Sequence, residues 1–293
     1  MKTSFITFIV AAISAVTAHP VKRAGGVDDT TVLNFALTLE HLENAFYSEA
    51  LAKYDDQKFL AAGLPSWARN RFAQVGAHEA AHVAFLSSAL GDKATKPCTY
   101  KFPHNNPKEF AALSQVLEGV GVSAYAGAAQ FIDNKAYLTA AASVLATEAR
   151  HASWVASAVN GGSGWSGALD VPLTLDTVYT LAASFIESCP STNPALPVKA
   201  FPAVSFGSNP KPGETVAVTF KSTTDASTPL YAVFFTGLSQ VAVAVKDGKV
   251  TIPSDLRGTV YGVLSTNESA SDPTIVAGPA ILNFPFNSQG QLV

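Results

Sequence analysis

The sequence predicts two domains of different class, a helical bundle followed by a β-sandwich. Three observations carry this. Residues 24–190 hold long segments of helical apolar periodicity, bounded by Thr, Pro and Gly signals. The composition changes after Cys189-Pro190: residues 191–202 form a Pro- and Ser-rich linker, and residues 203–293 hold Val-, Thr-, Tyr- and Phe-rich runs separated by turn residues. In the first part, acids and histidines recur at helical spacing inside otherwise apolar stretches. A chain of 293 residues is long enough to build two cores.

The chain opens with Met1-Lys2, an apolar run from Phe5 to Val16 and the small-x-small end Val16-Thr17-Ala18. Residues 1–18 read as a secretory signal, too short in their apolar part to span a membrane. Residues 19–23 end in Lys22-Arg23 and read as a short propeptide, with Ala24 as the mature start. The expected location is therefore secreted, extracellular or in the cell wall. A formal net charge of −3 without Lys/Arg clusters argues against a nucleic-acid partner. In an oxidising compartment the two cysteines, Cys98 and Cys189, are expected to pair. The loop closed would be worth roughly 4 kcal/mol. Asn267-Glu268-Ser269 is a glycosylation sequon.

The helical elements follow in order. Thr30 or Thr31 caps a first helix to about Lys53. Pro65 opens a second, which runs to Leu90 and stops at Gly91. A long polar connection, Asp92 to Asn106, leads to a third helix from Pro107 to Ile132. Asp133-Asn134-Lys135 is a tight turn, and a fourth helix spans Tyr137 to Val159. A shorter fifth helix fits Leu175 to Ser188. Two antiparallel pairs joined by one long connection make a four-helix bundle with a crossover. Beyond the linker, candidate strands are Thr215–Lys221, Leu230–Thr236, Val241–Val245, Lys249–Ile252, Thr259–Leu264 and Thr274–Phe284. Lys246-Asp247-Gly248-Lys249 forms a hairpin turn. This pattern fits an immunoglobulin-like β-sandwich.

The chemistry is concentrated in the bundle. Glu118 is the one charge between Phe110 and Ile132, and a lone carboxylate in an apolar helix needs a partner, a proton or a metal. Glu79-Ala-Ala-His82 lies on the second helix and Glu148-Ala-Arg-His151 on the fourth. An i, i+3 pair presents both groups on one face. With ten Glu and six His in the chain, chance gives about 0.2 such matches, so two on separate helices carry information. The third and fourth helices turn at Asn134; Glu118 lies 16 residues before it and Glu148 lies 14 after, at one level of the hairpin. The first helix offers Glu40 and Glu43. Glu40 is followed by Tyr47 and Glu118 by Tyr125 at the same spacing, which puts each Tyr on its Glu's face. Each half thus reads Glu, Tyr, then Glu-x-x-His. This is the pattern of a dinuclear site in a bundle core. Two divalent cations offset four carboxylates, and mixed carboxylate and imidazole donors favour iron or manganese over calcium. His41 and His104 are expected in solvent.

The segments Leu39-Glu40-His41-Leu42-Glu43-Asn44-Ala45-Phe46-Tyr47, His78-Glu79-Ala80-Ala81-His82, Glu118 with Tyr125, Glu148-Ala149-Arg150-His151 and Phe185-Ile186-Glu187-Ser188-Cys189-Pro190 resemble the ferritin-like superfamily. More narrowly they resemble secreted fungal ferritin-like domain proteins associated with stress and sexual development, and related plant desiccation-related proteins. The resemblance covers residues 30–190. It implies Glu40, Glu79, His82, Glu118, Glu148 and His151 as metal ligands, with Tyr47 and Tyr125 beside them. Glu43 departs from that pattern and could replace or supplement Glu40.

Three functions stand open at this point. A site bridged by Glu79 and Glu148 and capped by Glu40 and Glu118 could run oxidase, ferroxidase or catalase-like chemistry on dioxygen or peroxide. A non-enzymatic metal-binding or structural protein of the cell surface is the alternative. The third is a zinc protease, since His78-Glu79-Ala80-Ala81-His82 matches His-Glu-x-x-His.

Overall fold

A computed structural model describes residues 27–221, 225 and 227–293. The signal, propeptide and Lys22-Arg23 readings lie outside the described residues. The helices are α1 (Asp29–Lys53), α2 (Asp56–Ala61), α3 (Ala68–Leu90), α4 (Pro107–Ala128), α5 (Lys135–Trp154) and α6 (Leu175–Ala183). Helix α1 packs on α3 and α4 on α5, giving the two hairpins of the expected bundle.

Local chemistry explains most helix ends. Asp28, rather than Thr30 or Thr31, caps α1: its carboxylate accepts from Thr31 N at 2.8 Å. Asn106 accepts from Lys108 N and Glu109 N, so Pro107 opens α4 as expected. Gly91 ends α3 with φ +57°, a conformation that costs glycine little. The segment before α3 departs from expectation, because α2 forms there and α3 starts at Ala68 instead of Pro65. Helix α4 also ends earlier, at Ala128, with a 3₁₀ turn Ala129–Phe131. Helix α5 passes into a π turn, Val155–Val159.

The fifth helix is the clearest correction. It stops at Ala183, and Ile186–Ser188 is a strand (β2) that pairs antiparallel with β1, Thr99–Tyr100. The Cys98–Cys189 disulfide ties the same two segments together. A long-range pairing therefore overrides the helical reading, and the polar connection Asp92–Asn106 is pinned against the bundle. Its burial corrects a second expectation: His41 and His104 are 8% and 2% exposed. His41 Nε2 lies 3.1 Å from Thr95 O, and His104 Nδ1 lies 3.0 Å from the Tyr54 hydroxyl. Helical periodicity could not show that a polar loop would cover them.

The other strands are β3 (Val204–Phe206), β4 (Thr215–Phe220), β5 (Tyr231–Thr236), β6 (Ser239–Ala244), β7 (Lys249–Thr251), β8 (Gly258–Ser265) and β9 (Ile275–Phe284). One antiparallel sheet has the order β3-β4-β7 and the other β6-β5-β8-β9. Phe206 and Val250 from the first sheet share a core with Phe234, Val260, Leu264 and Phe284 from the second, which makes the pair a sandwich. Strand β3 was not legible in the sequence. The Lys246–Lys249 turn is as expected, with Asp247 and Gly248 both at positive φ (50° and 69°) and paired bonds of 2.9 Å between Lys246 and Lys249. Asn267 is exposed between β8 and β9.

The sandwich docks on α4, the helix that carries Glu118. The Tyr261 hydroxyl of β8 accepts from Ser123 Oγ at 3.1 Å and donates to Gly119 O at 3.2 Å. Thr174 Oγ1 donates to Asp272 at 2.6 Å. Among the described residues, no helix is long and apolar enough to cross a membrane.

Candidate metal centre

Below the site, an aromatic floor fixes the helices. Phe46 of α1 stacks on Phe110 of α4 at 4.9 Å, and Phe72 of α3 meets Phe110 edge-on at 4.8 Å. All three are 0% exposed. Full burial of such a ring contributes about 1.5–3 kcal/mol. Trp154 at the end of α5 meets Phe72 edge-on at 4.9 Å, so the floor joins all four helices that carry the acids.

Above it, Glu40 (α1), Glu79 (α3), Glu118 (α4) and Glu148 (α5) are all 0% exposed. They converge on two imidazoles. His82 Nδ1 lies 3.2 Å from Glu40, 3.0 Å from Glu79 and 3.2 Å from Glu148. His151 Nδ1 lies 3.1 Å from Glu79 and 3.2 Å from Glu118. Two groups result, Glu40/Glu79/His82/Glu148 and Glu79/Glu118/Glu148/His151, each with its donor atoms within 4.8 Å of one another. Glu79 and Glu148 belong to both.

The donor set fits divalent cations. One ring nitrogen has at most one proton, and it cannot serve three carboxylates. Donors about 2.1 Å from one cation at right angles sit about 3 Å apart, close to the spacing seen here. Glu79 Oε1 and both oxygens of Glu148 are buried without a hydrogen bond. Two of these oxygens are near an imidazole nitrogen in distance, but the alignment is poor. Buried carboxylate oxygens left this way are costly unless a cation takes them.

Without a cation, protons hold the cluster together. Burial, then the charge of Glu118, pushes Glu148 well above the usual carboxylate range. Burial, then Glu148, does the same to Glu43. Glu40 is raised to about 7, chiefly by burial, and Glu118 is also raised by burial. Glu79 goes the other way, to about 2: burial opposes its charge, but the His151 and His82 imidazoles beside it outweigh burial. The imidazoles respond in kind. Burial would lower His82, yet Glu148, Glu40 and Glu79 push it up to about 12. Glu118 and Glu79 raise His151 to about 9 against burial.

The tyrosines hold a surprise. Each was expected beside the glutamate of its own helix, but they cross. Tyr47 of α1 donates to Glu118 of α4, and Tyr125 of α4 donates to Glu40 of α1 at 2.5 Å. Ser114 Oγ lies 2.7 Å from the Tyr47 hydroxyl. The exchange orients both outer carboxylates and follows the two-fold repeat of the sequence.

Glu43 lies apart from both four-residue groups. It faces α4 at Gly121, where a Cβ would sit 3.1 Å from Glu43 Oε1 and 3.0 Å from Glu148 Oε2. The missing side chain at Gly121 is what lets both carboxylates approach this helix. His78, the first residue of the protease-like motif, sits behind His151. Its Nδ1 lies 2.9 Å from His151 Nε2, and the rings stack at 5.1 Å. Were His151 Nδ1 to bind a cation, Nε2–H would donate to His78 Nδ1 and fix the ring as a partner behind a ligand does. Among the described residues, no third donor joins His78 and His82 in a zinc-protease arrangement, and Glu79 is sealed among the other acids.

A four-helix bundle with one crossover and a carboxylate-imidazole cluster at its centre defines a ferritin-like domain. Comparison with known proteins agrees: residues 28–161 match the family described as ferritin-like domain, and the helical part of this chain is such a domain. Protein rds1 of Schizosaccharomyces pombe (strain 972 / ATCC 24843) is 26% identical over 188 residues, which cover 62% of this chain and 45% of the relative. The chain thus spans less than half the length of that relative.

Proposed function

We propose that the bundle holds two divalent cations, iron or manganese, bridged by Glu79 and Glu148, and that the protein is a secreted redox protein acting on dioxygen or peroxide. The observation that carries this reading is the sharing of Glu79 and Glu148 between two four-donor groups, with Glu79 Oε1 and both Glu148 oxygens buried without a hydrogen bond. Bound iron or manganese would supply electron transfer to dioxygen or peroxide at coordination positions left open by the protein.

The chain's own residues then have separate tasks. Glu40 and Glu118 would each help hold a cation, with Tyr125 and Tyr47 orienting their carboxylates. His82 and His151 would supply the nitrogen donors, and His78 would orient His151. The apolar helix faces exclude bulk water. The disulfide and the leader support an oxidising compartment. Oxidase, ferroxidase and catalase-like activity share this site, and the non-enzymatic alternative shares its metal. Metal analysis of natively purified protein, followed by assays with peroxide, dioxygen and ferrous iron, separates them. About two Fe or Mn per chain with turnover is the expected result. Less than one per chain after reconstitution sinks the metal reading, and a loaded but inert protein sinks the redox reading.

A further inference from the structure

A cavity of about 190 Å³ lies where the bundle meets the sandwich. Its walls are Leu42 of α1, Leu117 of α4, Leu181 of α6, Phe185 just beyond α6, and Ile281 of β9. Its side-chain lining is apolar except at two places. Ser184 is exposed, and its Oγ is engaged with Leu181 O at 2.8 Å. Glu43, 4% exposed, forms the wall towards the metal centre together with Gly121. That wall is thin. Gly121 presents no side chain, and the place of its missing Cβ is only 3.0 Å from Glu148 Oε2. One glycine and one carboxyl group separate an apolar chamber from a carboxylate shared by both donor groups.

Volume and lining decide what such a chamber takes. An engineered cavity of about 150 Å³ lined by Leu, Ile and Phe stays dry and binds benzene or xenon. The cavity here is somewhat larger and similarly lined, and it opens to solvent beside the exposed Ser184. A hydrated cation would lose its water shell against leucines and gain nothing in return. An apolar molecule between dioxygen and benzene in size fits without that cost.

We propose that this cavity is the binding site for an apolar small molecule, dioxygen or an organic co-substrate of benzene size, presented to the metal centre across Glu43 and Gly121. The delivery half rests on the metal reading above; the binding half does not. The proposal also gives the sandwich a task, since Ile281 supplies the wall on the β-domain side. Iron would have to enter elsewhere.

The test begins with metal-free full-length protein under xenon pressure, read by crystallography or xenon NMR. Xenon is expected among Leu117, Leu181 and Ile281, and benzene is expected to raise the melting temperature. Leu117→Phe, which fills the chamber, is expected to abolish the xenon signal. Should that variant misfold, Ile281→Phe fills the chamber from the other domain. Absence of xenon from the wild-type cavity overturns the proposal. In ferrous-loaded protein, with metal content measured to be unchanged, the filling variant is expected to consume dioxygen more slowly. An unchanged rate overturns delivery through this cavity. A protein that takes up xenon yet retains no metal overturns the metal reading and leaves the binding site standing.

Discussion

Replacing Glu148 with glutamine is expected to act in opposite directions on the metal-free and metal-loaded protein. In the metal-free state Glu148 is buried without a hydrogen bond on either oxygen, among Glu43, Glu118, Glu79 and Glu40. A neutral amide replaces a carboxyl that must otherwise take up a proton to sit among these acids, so metal-free Glu148→Gln should melt at or above the wild-type temperature. In the loaded state the same residue serves both donor groups. With free metal at 100 times its Kd, each site contributes about 2.7 kcal/mol, so losing both costs roughly 5 kcal/mol. At about 2–4 °C per kcal/mol for a domain of this size, the loaded melting temperature should fall by about 10–20 °C. Calorimetry in chelator and in Mn(II) reads both numbers. A variant equally destabilised in both conditions would show that Glu148 is a packing residue. A wild-type protein whose melting ignores metal would refute the site itself.

Other outcomes follow from single contacts. Gly127→Ala in α4 would place a Cβ 1.7 Å from Leu173 O, a backbone atom, so it should destabilise by about 1–3 kcal/mol or more in urea unfolding. Gly119→Ala, one helix face away with open space around its Cβ, should stabilise by up to about 1 kcal/mol. Burial lowers the pKa of His104 and of His41, so the unfolded chain takes up protons before the native one does. Their contribution is complete above the ordinary value of about 6.5 and is lost as pH falls from there towards the depressed folded-state values, so His104→Gln should flatten the fall in stability from pH 7.5 to 5.5 in urea melts. Cys98→Ser opens a link between residues 91 apart and should cost roughly 4 kcal/mol of bundle stability, measured by melting under oxidising conditions.

The site was legible because its signal is local. A Glu-x-x-His pair declares its own face, and an acid such as Glu118 in an apolar run is conspicuous whatever it meets. Helix starts at Pro107 and stops at Gly91 were legible for the same reason. The failures involve partners distant in sequence. Nothing near Ile186 says that it will pair with Tyr100, and nothing near His104 says that Tyr54 will cover it.

Periodicity and spacing along the chain already specify the two-part architecture, the acids and histidines that face the bundle core, and their common level along the helices. These depend on periods of two and 3.6 residues, which the chain carries without reference to its fold. Packing between elements pairs Tyr47 with Glu118 and Tyr125 with Glu40, lets Gly121 make room for Glu43 and Glu148, and brings Ile281 to the wall of a cavity beside them. Each of these joins surfaces from separate elements, and the angle and separation at which elements pack is set by the whole core rather than by any local run of residues.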